Sequence, residues 1–96
     1  MKYFLHPLAR EELEQSLLFY QKQQAGLEKR FIEAVDDAIH RVFRNPMLYR
    51  KIDDETRKCR ILHFPNMLMF REKAGSLEIL AVMHLRRPPN YWNSRK

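Results

Sequence analysis

The chain has 96 residues, 45% of them apolar and 11% aromatic, which suits one small core and excludes both a second domain and a disordered tail. Eighteen lysines and arginines against twelve acids leave a net charge of +6, favouring an anionic partner such as a nucleic acid, a ribosome or an acidic protein segment. A single cysteine, Cys59, excludes an internal disulfide framework, and no apolar run is long enough for a secretory leader or a membrane span, so the expectation is a cytoplasmic protein with no membrane partner.

Tyr3, Phe4 and Leu5 form a short β-prone run stopped by Pro7, whose fixed φ and missing N–H suit the first turn of a helix. Over residues 7–24, Ala9, Leu13, Leu17 and Tyr20 recur at helical spacing, with Glu11, Glu12, Glu14 and Gln15 on the other face. The spacing predicts an amphipathic helix whose early glutamates complement its N-terminal dipole. Gly26 stands where a helix end calls for a left-handed residue. Leu27, Phe31, Ala34, Val35, Ala38 and Val42 then restart the period, up to Asn45-Pro46. Residues 47–56 are rich in charge and read as a surface loop. Three β-prone runs follow over 58–64, 67–73 and 77–84, parted by Pro65-Asn66 and by Ala74-Gly75-Ser76. The order β-α-α-β-β-β predicts an α+β domain with a helix hairpin packed on one face of a small twisted antiparallel sheet, the other face remaining at least partly open.

Side chains alternate along a strand, so Leu77, Ile79, Ala81, Met83 and Leu85 share one face of the last run, and Leu80, Val82, His84 and Arg86 the other. The first, uniformly apolar set is expected against the helices. If Lys58, Arg60 and Leu62 lie on the second face, then Lys58, Arg60, His84 and Arg86 converge there; a slip of one residue reverses the arrangement.

The stretch after the last run carries Arg86 and Arg87, Pro88-Pro89, and Tyr91-Trp92. Guanidinium forks suit phosphate or carboxylate, though a strand end can simply be solvated. Tyr91 and Trp92 either stack on nucleotides or plug the helix hairpin, and the plug is the favoured reading for Trp92. His6, His40, His63 and His84 lack metal-ligand spacing, and there is no Gly-rich phosphate loop or Ser-centred nucleophile elbow. No metal and no cofactor is expected.

In this order the residues resemble the RelE/ParE superfamily of type II toxin–antitoxin toxins, in its ParE-like, plasmid-stabilisation branch. The resemblance is carried by His6-Pro7-Leu8-Ala9, Glu12-Leu13, Tyr20, Gly26-Leu27, Phe31 and Pro46, and then by Arg60, Phe64-Pro65, Phe70-Arg71, Ile79, Ala81-Val82, His84, Arg86-Arg87-Pro88 and Tyr91-Trp92. It implies a single toxin domain over residues 1–96, held inactive by a cognate acidic antitoxin whose C-terminal segment wraps it, as a toxin–antitoxin hetero-oligomer.

Members of the superfamily act in two ways: RelE-like toxins cut mRNA in the ribosomal A site, and ParE-like toxins inhibit DNA gyrase by binding it. Nuclease chemistry of that kind activates a ribose 2′-OH and stabilises a phosphate transition state without a metal. Aligned by strand pattern, Arg60 and Arg86 match family cations, but Leu62 and Met67 stand where two others are expected. If the chain is a nuclease, Arg86, Arg60 and His84 are its candidate catalytic residues, the imidazole supplying acid–base chemistry. If it is a binder, Arg60, Arg86, Arg87, Tyr91 and Trp92 are the candidate contacts to target or antitoxin. The missing cations lean the expectation towards gyrase binding without catalysis; mRNA endonuclease activity and a degenerate toxin that keeps mainly antitoxin binding stand as alternatives.

Overall fold

The structure, a computed structural model, describes residues 2–88 and 90–96. β1 (Tyr3–Leu5) passes through His6 into α1 (Pro7–Gln23), and α2 (Leu27–Arg44) follows after a turn at Gly26. Gly26 has φ 94°, a left-handed conformation that costs a residue without Cβ nothing. A 3-10 turn at Pro46–Leu48 precedes β2 (Thr56–Ile61), β3 (Asn66–Lys73) and β4 (Ser76–His84), and another at Asn93–Arg95 lies in the C-terminal segment. The α+β order and the helix hairpin are those the pattern predicts. The N-terminus of α1 differs: its first turn contains no acid, and the cap is His6, whose Nδ1 accepts the Leu8 N–H at 3.1 Å. Glu11 and Glu12 fall one turn too late to act on the dipole.

The sheet order is β1-β4-β3-β2. β2, β3 and β4 form an antiparallel meander, while β1 joins β4 in parallel because the two helices carry the chain back across the sheet. β2 ends at Ile61, short of the predicted boundary: His63 takes a left-handed φ of 72°, and Pro65 cannot donate to a ladder.

A β-bulge decides which way β4 faces. Met69 pairs with Ala81 and Phe70 with Ile79, leaving Leu80 as an extra residue without a partner. Parity therefore inverts partway along the strand. Leu77 and Ile79 before the bulge and Val82 after it face the helices, whereas Leu80, Ala81 and Met83 pack on the opposite face. The expectation that Ala81, Met83 and Leu85 face the helices is thus overturned, and Leu85 is exposed beyond the strand. His84, paired with Asn66, follows Val82 to the helix side; Arg60 and Lys58, paired with Met67 and Met69, lie on the other. The predicted convergence of Lys58, Arg60, His84 and Arg86 does not form.

Helix-side packing is apolar and dense. Phe31, Ala38 and Val42 of α2 and Ala9 of α1 are fully buried against Ile61, Leu68, Leu77 and Ile79 of the sheet. Burying a side chain such as Phe31 contributes roughly 1.5–3 kcal/mol. Tyr20 stacks on Phe31 and Phe64 and donates its hydroxyl to Asn66 Oδ1 at 2.6 Å, so its polar tip is satisfied where burial raises its pKa.

The opposite face is largely covered. Trp92, 1% exposed, lies on Met69, Leu80, Ala81 and Met83, so it plugs this face and not the helix hairpin as expected. Beside it Arg71 bonds Glu78 at 2.7 Å and Glu55 at 2.8 Å. Burial works against the Arg71 charge, but the two carboxylates more than offset it and hold the pKa above its ordinary value. Lys96 reaches Asp53 at 2.7 Å and ties the C-terminal segment across the same face.

Candidate functional site

β1 is too short to cover β4. Its ladder ends where His6 donates to the Ile79 carbonyl at 2.9 Å, and among the described residues the rest of the β4 edge has no neighbouring strand. Bare edge groups must find other partners. Here two side chains supply them: Glu12 Oε1 of α1 accepts the Val82 N–H at 3.1 Å, and Arg95 Nη1 donates to the Leu80 carbonyl at 2.8 Å.

The same two side chains pair with each other. Arg95 reaches Glu12 Oε1 at 2.8 Å and Oε2 at 3.2 Å, with side chains only 7% and 12% exposed. Glu12 Oε2 also accepts the hydroxyl of Tyr91. Burial first, and then this hydrogen bond to a carboxylate, push the Tyr91 phenol above its ordinary value. Over the Tyr91 ring sits the Arg87 guanidinium, 4.1 Å from the centroid, with that of Arg95 at 5.0 Å.

Between α1 and this edge opens a cleft of about 220 Å³, lined by Gln15, Ser16, Phe19 and Tyr20 on the helix side and by Asn66, His84, Arg87 and Tyr91 on the other. Of the residues singled out from sequence, the cleft brings together His84, Arg87 and Tyr91. Arg86 is exposed in the turn after β4, Arg60 is exposed on the far face of the sheet, and Trp92 is buried beneath the tail. His84 is engaged locally: its Nδ1 accepts the Arg86 N–H at 3.0 Å and its carbonyl accepts the Arg87 N–H at 3.0 Å. Pro88 follows the turn at Leu85 and Arg86, and Pro89 lies outside the described residues. Leu62 and His63 line a separate hollow of about 670 Å³ beside the start of α2.

Chemically, the cleft sets the exposed Arg87 and the His84 imidazole beside buried amide and hydroxyl groups, and the Glu12 carboxylate in its wall is neutralised by Arg95, so the set suits an anion. It is poorly suited to proton transfer from Tyr91, whose proton is held by Glu12 and whose pKa is raised. Among the described residues no group of three or more His, Cys, Asp or Glu side chains is placed to hold a metal ion, and no helix is long and apolar enough to cross a membrane. Glu12 and Arg95 were not singled out from sequence for any site. Glu12 and Ser16, polar residues bordering the stripe of Ala9, Leu13, Leu17 and Tyr20, are the one signal of a second contact face on α1. Nothing local marks Arg95.

Comparison with known proteins turns this geometry into a family assignment. In structure the chain is similar to one from the "Chromosomal ParDE TA system from P. aeruginosa", with a TM-score of 0.65 and 17% identity over 88% of this chain and 95% of that one. At that identity the likeness speaks for the fold. No curated protein matches in sequence. The family model for the ParE toxin of type II toxin-antitoxin system, parDE, matches residues 3–89, from the first residue of β1 through β4 and into the turn beyond it. With both helices and all four strands inside that match, the chain belongs to the ParE toxin family of type II toxin–antitoxin systems.

Proposed function

We propose that the protein is a growth-inhibiting toxin, neutralised by a cognate acidic antitoxin, that acts by binding DNA gyrase and not by cleaving RNA. The observation that carries this reading is the division of labour at the C-terminal end. Tyr91 and Trp92 are committed to a carboxylate and to packing, while Arg86 and Arg87 stay exposed. Exposed cations whose neighbouring aromatics are committed elsewhere suit recognition of an anionic patch. Family membership and a formal charge of +6 support the same partners.

A second reading, mRNA cleavage on the ribosome, draws on one feature: His84 and Arg87 line the same cleft, where an imidazole and a guanidinium would suit a phosphate. One experiment separates the two. The purified protein is assayed for inhibition of gyrase supercoiling and for mRNA cleavage on purified ribosomes. Supercoiling should stop while the mRNA stays intact; cleavage without an effect on gyrase would reverse the assignment. In the gyrase assay Arg86→Ala should weaken inhibition about tenfold, the loss of one charge-assisted contact, without moving the melting temperature. Full inhibition by a folded Arg86→Ala variant would remove Arg86 from the contact.

A further inference from the structure

We propose that Glu12, on α1, is the positioning residue of the basic C-terminal turn: through Tyr91 it fixes where Arg87 is presented. The inference rests on the proposed role of that turn in target binding. Its basis is the convergence on one carboxylate of groups 70, 79 and 83 residues away in sequence: the Val82 N–H, the Tyr91 hydroxyl and the Arg95 guanidinium. Both oxygens are engaged, so the carboxylate has one orientation. Tyr91 is consequently held at two ends, its hydroxyl on α1 and its backbone next to Trp92, which is buried under the sheet. A ring fixed in this way is a rigid platform, and Arg87 lies across it at 4.1 Å.

A free arginine on a loop loses considerable rotamer entropy when it docks on a partner. Stacking on a fixed ring removes part of that cost beforehand, so Arg87 meets its target preorganised. Among the described residues the ring contacts of this segment go to Arg87, Arg95 and Lys96, whereas Arg86 is held through its backbone N–H by His84 and its side chain is exposed. Glu12 also caps the β4 edge, so loosening it would release the bulged stretch Leu80–Val82 together with the turn that follows.

The test separates positioning from bulk stability. Tyr91→Phe keeps the ring, the packing and the Glu12–Arg95 pair, and removes only the tether. Glu12→Gln approaches from the other end and still offers an acceptor to the Val82 N–H. Each is combined with Arg87→Ala, and the readout is growth arrest against the amount of toxin expressed, with melting temperatures measured alongside. Arg87→Ala and Tyr91→Phe should each raise the dose for half-maximal arrest by about tenfold, the size of one hydrogen bond to a charged group. The double variant should be no worse than Arg87→Ala, while the melting shift from Tyr91→Phe should be too small in either background to account for the lost toxicity. A multiplicative loss in the double variant overturns the positioning role and leaves the binding role of the turn intact. Full toxicity of a folded Arg87→Ala variant overturns both, and if Glu12→Gln fails to fold, the Tyr91→Phe cycle decides alone.

Discussion

On the helix side of the sheet, Phe31, Ile61, Leu68 and Ile79 are buried among apolar neighbours and need no particular partner; on the far side, Trp92 is kept in place beside a chain of named ionic contacts, Arg71 with Glu78 and Glu55, Lys96 with Asp53, Arg95 with Glu12. The first region is held by area, which tolerates approximate shape. The second is held by geometry, in which each buried charge is safe only while its partner is present. The exposed Arg86 and Arg87 lie next to this second region, Arg87 across the Tyr91 ring. On the proposed function, the part of the toxin that meets its target is also the part whose stability depends on individual side chains.

The largest expected effects test whether the two regions unfold together. Phe31→Ala should cost about 3–5 kcal/mol through the cavity it leaves, and Trp92→Ala a similar amount. Both should melt in one cooperative transition, as small single domains usually do. Hydrogen exchange checks this directly. If Trp92→Ala instead exposes only the amides of β4 beyond Ile79, the C-terminal segment is a separate cooperative unit.

An intermediate effect probes a polar tie inside the apolar region. Tyr20→Phe keeps the stacking on Phe31 and Phe64 but leaves Asn66, 2% exposed, without its donor. The expected cost is about 1–3 kcal/mol by denaturant titration, the desolvation of an orphaned acceptor. A neutral outcome would mean that the helix side is held by area alone, widening the contrast between the two faces.

That contrast also explains what could be read in the sequence. Ala9, Tyr20, Phe31, Val35, Ala38 and Val42 announce themselves by helical period, and Gly26 and Pro46 mark the helix ends through local backbone chemistry. Local patterns encode local structure. The bulge at Leu80 is invisible to alternation, because every residue from Leu77 to Met83 except Glu78 is apolar and either register looks buried. Strict alternation therefore puts His84 on the wrong face, while the side on which Trp92 packs is set by the path of the chain after β4, on which alternation within the strand is silent. Glu12 and Arg95 were missed for a related reason: their pairing spans 83 residues and leaves no periodic trace. Alternation along the strand points to Arg86, yet Arg87 is the one stacked at the cleft.

The smallest effect concerns the outermost tie of the ionic region. Partial burial works to raise the pKa of Asp53, but the Lys96 ammonium and the Glu55 and Thr56 N–H groups outweigh it and hold the carboxyl well below its ordinary value of 3.8. Because the folded state depresses this pKa, the unfolded chain takes up the proton first. The contribution of Asp53 is complete above pH 3.8 and is lost progressively as the pH falls towards its folded value. Asp53→Asn abolishes that titration and the ion pair with Lys96, while the amide oxygen still accepts from the Thr56 N–H. Melting curves from neutral pH downwards should show the variant slightly less stable than the wild type at pH 7 and converging on it in acid. Since Asp53 is partly exposed, added salt should shrink the difference at pH 7. Parallel curves at every pH would mean that the backbone bonds alone anchor this loop, and that the ionic region ends at Glu55 without reaching the last residue.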